Sequence, residues 1–80
     1  MNFDNHFTLG DKRRIRKVLS VMEELAQTDP FFSVAVKQFE AATGAEKIIM
    51  GNYLLKIFYA PTKCSGMTLE QAVILSAYPA

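Results

Sequence analysis

Between Asp11 and Gln27 the apolar residues Ile15, Val18, Leu19, Met22, Leu25 and Ala26 recur at spacings of three and four, and the run stops at Thr28-Asp29-Pro30. That period draws one apolar stripe down a helix and does not fit a strand, whose side chains alternate with a period of two. Thr8 or Asp11 is placed to cap the start of this helix. Asp29 is a good N-cap for a following helix, and Pro30 then takes its first position, where the missing N–H costs nothing. The second helix is predicted over 30–43, with Phe32, Ala35, Val36 and Phe39 inward and Gly44 as its C′ residue.

Residues 45–60 read in two ways. As a helix over about 46–59 they carry Ile48, Ile49, Leu54, Leu55 and Phe58 inward, with Gly51 weakening it by about 1 kcal/mol relative to alanine. As a hairpin over about 47–59, Gly51-Asn52 forms the turn, and Tyr53, Leu55, Ile57 and Tyr59 share one face. An isolated hairpin is marginal without a third strand, which favours the helix. Pro61 to Gly66 reads as a loop. Thr68 and Gln71 then match a capping box, opening a last helix over 69–78 that stops before Pro79. Its middle, Ala72-Val73-Ile74-Leu75, is apolar around most of the circumference, so it is either clasped by the other helices or offered to a partner.

The expected architecture is therefore all-α: one domain of about four short helices spanning 1–80, with 1–10 as an N-terminal segment. Eighty residues leave no room for a second domain, and half of them are hydrophobic, more than so small a body readily hides. The longest apolar stretch, 48–60, is interrupted by Asn52 and Lys56 and is too short for a membrane span of about 20 residues. The first residues show no basic region leading into an apolar run, so no secretory signal is read there. A single cysteine excludes a disulfide framework, and a cytoplasmic setting is expected.

Charge is distributed unevenly. Lys12, Arg13, Arg14, Arg16 and Lys17 put five of the nine basic residues into six positions, leaving four to face all eight acidic residues elsewhere. The placement opposes the helix macrodipole, which favours anions at the N-terminal end and costs about 0.3–1 kcal/mol per misplaced charge at low salt. Arg13 and Lys17 lie opposite the apolar stripe, with Lys12, Arg14 and Arg16 on its flanks. Such a face is a solvated surface, a contact for an acidic protein, or a contact for nucleic-acid phosphates. Base reading by a helix-turn-helix is not supported. The position four before the turn glycine is Glu40 for Gly44 and Lys47 for Gly51, and neither suits a close helix crossing.

Catalytic chemistry finds little footing. Cys64 beside Lys63 lacks a partner base, since His6 is the only histidine and lies in the N-terminal segment. His6, Asp4 and Asp11 have no metal-ligand spacing, and the four glycines form no phosphate loop. Glu23 and Glu24 point about 100° apart on a helix and cannot act as a close pair. Phe3 and Phe7 are expected to pin the N-terminal segment onto the bundle. No catalytic residue, metal or cofactor is assigned.

The reading is a small accessory protein, not an enzyme, that binds another protein stoichiometrically as a regulator, adaptor or inhibitor. Its surface would combine Lys12, Arg13, Arg14, Arg16 and Lys17 with the apolar residues Val73, Ile74, Leu75 and Tyr78. The partner would present an acidic surface, and a homodimer through the last helix is an accompanying expectation. A nucleic-acid-binding regulator gripping phosphates through Lys12 to Lys17 is the alternative.

Overall fold

A computed structural model describes residues 2–78. Met1, Pro79 and Ala80 lie outside the described residues, and with them the stop expected at Pro79. Five helices follow one another: α1 (Phe3–His6), α2 (Leu9–Leu25), α3 (Pro30–Ala41), α4 (Gly44–Lys63) and α5 (Leu69–Ala77). No strand occurs among the described residues, so 47–59 is helical and the hairpin is not formed.

Local chemistry sets most boundaries. Thr8 caps α2, its Oγ1 accepting from the Asp11 N–H at 3.1 Å. Asp29 caps α3 with Pro30 at its start, and Thr68 and Gln71 form a reciprocal capping box on α5. Two junctions differ from the sequence expectation. Gly44 opens α4 at φ +59° instead of closing α3, which ends at a buried Ala42. The left-handed backbone at Gly44 lets the chain turn from one helix into the next within two residues. Helix α4 also runs through Pro61 to Lys63, where a loop was expected. The proline sits in the last turn, where it deletes a single ladder bond, and the Thr62 hydroxyl donates to the Tyr59 carbonyl at 2.6 Å.

Helix α2 is the hub, packing against α3, α4 and α5, while α4 also packs against α1 and α5. Ile15, Val18 and Met22 of α2 meet Phe32, Val36 and Phe39 of α3, Ile48, Leu54 and Ile57 of α4, and Ala72 and Val73 of α5 in one cluster. No polar or charged residue is buried among the described residues. The predicted inward faces of α2 and α3 hold. On α4, Ile49 does not point inward: it is 68% exposed, and Gly51 and Ile57 take the buried positions beside Ile48 and Leu54.

The residues before Thr8 are not a plain strap. Asn2 caps α1 by accepting from the Asp4 N–H, and Phe7 enters the core. Phe3 lies tilted against Phe7 at 5.0 Å and edge-on to Phe39 at 5.6 Å, which fixes the segment on the bundle as expected.

Candidate functional site

Helices α3 and α4 diverge from the two-residue corner at 42–43 and make no extended contact with each other. Between them lies an apolar groove of about 310 Å³. Leu19 and Met22 of α2 form its floor, Phe31, Ala35 and Phe39 one wall, and Ile49, Met50, Tyr53, Leu54 and Ile57 the other. Its remaining lining residues are Gln38, Ser76 and Ala77, so none of the described residues that line it is charged. Phe31 and Tyr53 stand on the rim about half exposed, alongside the more exposed Ile49.

The bundle is elongated, with extents of 35 × 27 × 20 Å and a radius of gyration of 12.4 Å, against about 11.6 Å for a compact domain of this length.

Helix α5 shuts one end. The Tyr53 hydroxyl donates to the Ser76 carbonyl at 3.3 Å, joining α4 to α5. The Tyr78 hydroxyl donates to Asp29 Oδ2 at 2.6 Å, and its ring lies 5.8 Å from Phe31 and 6.4 Å from Phe32. The Asp29 hydrogen bond, followed by desolvation and the nearby carboxylate charge, raises the Tyr78 pKa above its ordinary value of about 10.

Among the apolar residues assigned to a partner surface from sequence, Val73 is misplaced. It is 1% exposed, because α5 turns Ala72 and Val73 toward α2 and α4 and fills the core with them. Ile74, Leu75 and Tyr78 are exposed, and Leu75 shares with Tyr53 a shallow depression beside the groove. Spacing pointed to the last helix, but the larger apolar surface lies between α3 and α4. A signal for it existed: Glu46, Ile49, Tyr53 and Lys56 recur at three and four residues, and two of the four are charged. That marks an outward stripe of α4 on which Ile49 and Tyr53 are the anomalies.

The five cations of α2 divide into two groups. Arg14 pairs with Asp11 at 3.2 Å and lies 5.8 Å from the Tyr59 ring, and Lys12 donates to the Asp4 carbonyl at 3.4 Å. Arg13, Arg16 and Lys17 are exposed and form no ion pair among the described residues. Lys12, Arg13 and Arg16 line a second hollow of about 290 Å³, against the single carboxylate of Asp4. Leu19 and Phe39 belong to both hollows, so the cationic one adjoins the apolar groove across that shared wall. Lys47 lines neither hollow and lies over the aromatic rings between α1 and α3, 5.1 Å from the Phe39 ring and 5.4 Å from Phe3.

Among the described residues no three His, Cys, Asp or Glu side chains gather to hold a metal ion, and His6 and Cys64 are both exposed, in α1 and at the end of α4. Among the described residues no helix is long and apolar enough to cross a membrane. Compared with known proteins, the chain matches no family model, no curated protein and no solved structure.

Proposed function

We propose that this protein works by stoichiometric association with another protein, as a small regulator, adaptor or inhibitor, and not by catalysis. The observation that carries the reading is the groove between α3 and α4, whose lining among the described residues bears no charge and whose rim exposes Phe31, Ile49 and Tyr53. Concave apolar surface ringed by exposed aromatic and aliphatic side chains is what protein interfaces use for anchoring. A cytoplasmic setting belongs to the same proposal and rests on the single thiol, Cys64.

The experiment is capture from the native host's lysate with wild-type protein and with Ile49→Asp, with and without nuclease, at low and high salt. The expected result is one protein retained by the wild type through nuclease and high salt, and lost with Ile49→Asp. Equal retention by the variant would refute the groove as the binding surface. Arg13, Arg16 and Lys17, exposed and without an ion pair among the described residues, favour a second reading in which the chain grips nucleic-acid phosphates. Its signature is nucleic acid that is captured at low salt and released steeply as salt rises.

A further inference from the structure

The outward stripe of α4 carries an anion at one end, a cation at the other and two large apolar residues between them. Glu46, Ile49, Tyr53 and Lys56 follow at spacings of three, four and three, and all four are exposed. That is the spacing of the contact seam in a pair of helices. At about 100° per residue the centre of the stripe lies opposite Gly51, the position buried against Phe7 and Phe3. Ile49 and Tyr53 stand two residues either side of Gly51, and Glu46 and Lys56 stand five either side.

That symmetry makes the stripe complementary to itself. An antiparallel copy of α4, related by a two-fold axis level with Gly51, sets Ile49 against Tyr53 of the second copy and Glu46 against its Lys56. Both contacts then occur twice. A parallel copy would set Glu46 against Glu46 and Lys56 against Lys56, and a slip of seven residues would set Glu46 against Ile49. Charge therefore selects both direction and register. Within one chain Glu46 and Lys56 are about 15 Å apart along the axis and cannot meet, and neither forms an ion pair among the described residues.

The surroundings widen the apolar contact. Phe31 stands across the groove on one side of Tyr53, and Leu75 across a shallow depression on the other, each about half exposed. The Tyr53 hydroxyl is held on the Ser76 carbonyl, so its ring is presented already positioned. Helix α5, the self-association surface expected from sequence, carries Glu70 as its single charge and has no such complement.

We infer that two copies of this chain pair through α4, antiparallel about Gly51, with Ile49 on Tyr53 and Glu46 on Lys56 across the interface. Such a pair goes beyond the protein-binding reading. A second copy held there covers Ile49 and Tyr53 on the rim of the groove, so it competes with any other protein for that site.

The test is sedimentation equilibrium on the full chain: wild type, Glu46→Lys, Lys56→Glu, and the two variants mixed in equal amounts. With only two apolar layers the contact is small, and the wild type is expected to dimerise at about 0.1 mM and dissociate on dilution. Each single reversal creates two like-charge contacts across the axis and should weaken self-association at least about tenfold. In the mixture one variant is positive at both positions and the other negative, so the heterodimer should regain wild-type affinity or better. Lys17→Glu, on the outer face of α2, should change nothing. A wild type that stays monomeric to about 1 mM overturns the inference. So do single reversals that dimerise like the wild type, a mixture that stays monomeric, or a loss with Lys17→Glu equal to that with Lys56→Glu. A dimer indifferent to both reversals but dissolved by Leu75→Asp assigns self-association to α5 instead. If the wild type is monomeric yet lysate capture depends on Ile49, the pairing falls and the protein-binding reading stands. If the dimer obeys the charge reversals while capture ignores Ile49, the pairing stands and that reading falls.

Discussion

The ring of Phe7 lies so close over Gly51 that a methyl group at that position would sit 2.8 Å from Phe7 Cε2 and 2.9 Å from Cζ. Phe3 Cε2 would be 3.0 Å away. The glycine that weakens α4 as a helix is thus what lets α1 approach it.

Gly51→Ala sets two effects against each other. Helix propensity favours alanine by about 1 kcal/mol, while overpacking a filled core costs about 1–3 kcal/mol. Phe7 is buried and wedged against Phe3 and His6, so it has little room to yield, and a net loss of about 1 kcal/mol is expected. Urea unfolding of Gly51→Ala, Phe7→Leu and the double variant checks it. The smaller side chain should cancel most of the penalty, leaving a coupling of about 1 kcal/mol.

Gly44 predicts a different outcome. Nothing lies within 4 Å of a Cβ built there, but its φ of +59° is left-handed. Gly44→Ala should therefore cost about 1–2 kcal/mol through backbone strain alone. Gly44→Asn should cost less, since asparagine visits that region more readily. Equal costs for the two in thermal unfolding would point away from the backbone as the cause.

Asp29 serves two partners with two oxygens, accepting from the Phe31 N–H at Oδ1 and from the Tyr78 hydroxyl at Oδ2. Asp29→Ala should lose the α3 cap, about 1 kcal/mol, together with the tie to α5. Asp29→Asn keeps an oxygen for the cap and should lose less. The pH dependence has a definite sign. The folded-state pKa of Tyr78 is raised, so its contribution is complete below the unfolded value of about 10 and is lost as pH rises through the folded value. The gap in urea midpoint between wild type and Tyr78→Phe, open at about pH 8, should close in stronger alkali.

The cations of α2 should separate stability from binding. Arg13→Glu places an anion near the helix N-terminus and should raise stability by about 0.3 kcal/mol at low salt, an effect that fades in high salt. The same change should weaken partner binding. A variant both more stable and less able to bind would show that the cluster is kept for association.

Legibility in the sequence followed how locally each feature is determined. Asp29-Pro30 and Thr68 with Gln71 act on backbone groups two or three residues away, and their helices begin where those residues place them. The stripe of α2 is strong enough to identify its own buried face. Helix α4 carries apolar residues on several sides, so composition alone turned Ile49 inward, whereas the buried side is the one where Gly51 admits Phe7. Helix α1 is too short to display a period, although the Asn2 cap and the four-residue spacing of Phe3 and Phe7 announce it. The groove depends on the angle between α3 and α4, which no short window of residues encodes. The cationic cluster was legible, but not that only part of it adjoins the apolar surface.

Helix α3 is fastened along one flank by α2 and pinned near its start by Tyr78, with its other long edge left unsupported. Elements with few neighbours open to solvent at lower free energy than those enclosed on several sides. The amides of α3 should accordingly exchange hydrogen ahead of those in the middle of α2 and α4. Swinging α3 outward would lift Phe32, Val36 and Phe39 away from Ile15 and Val18 and pull on the two-residue link at 42–43. The width of the space beside α3 is therefore set by the packing of the core, and a bulkier occupant has to be accommodated by the rim side chains.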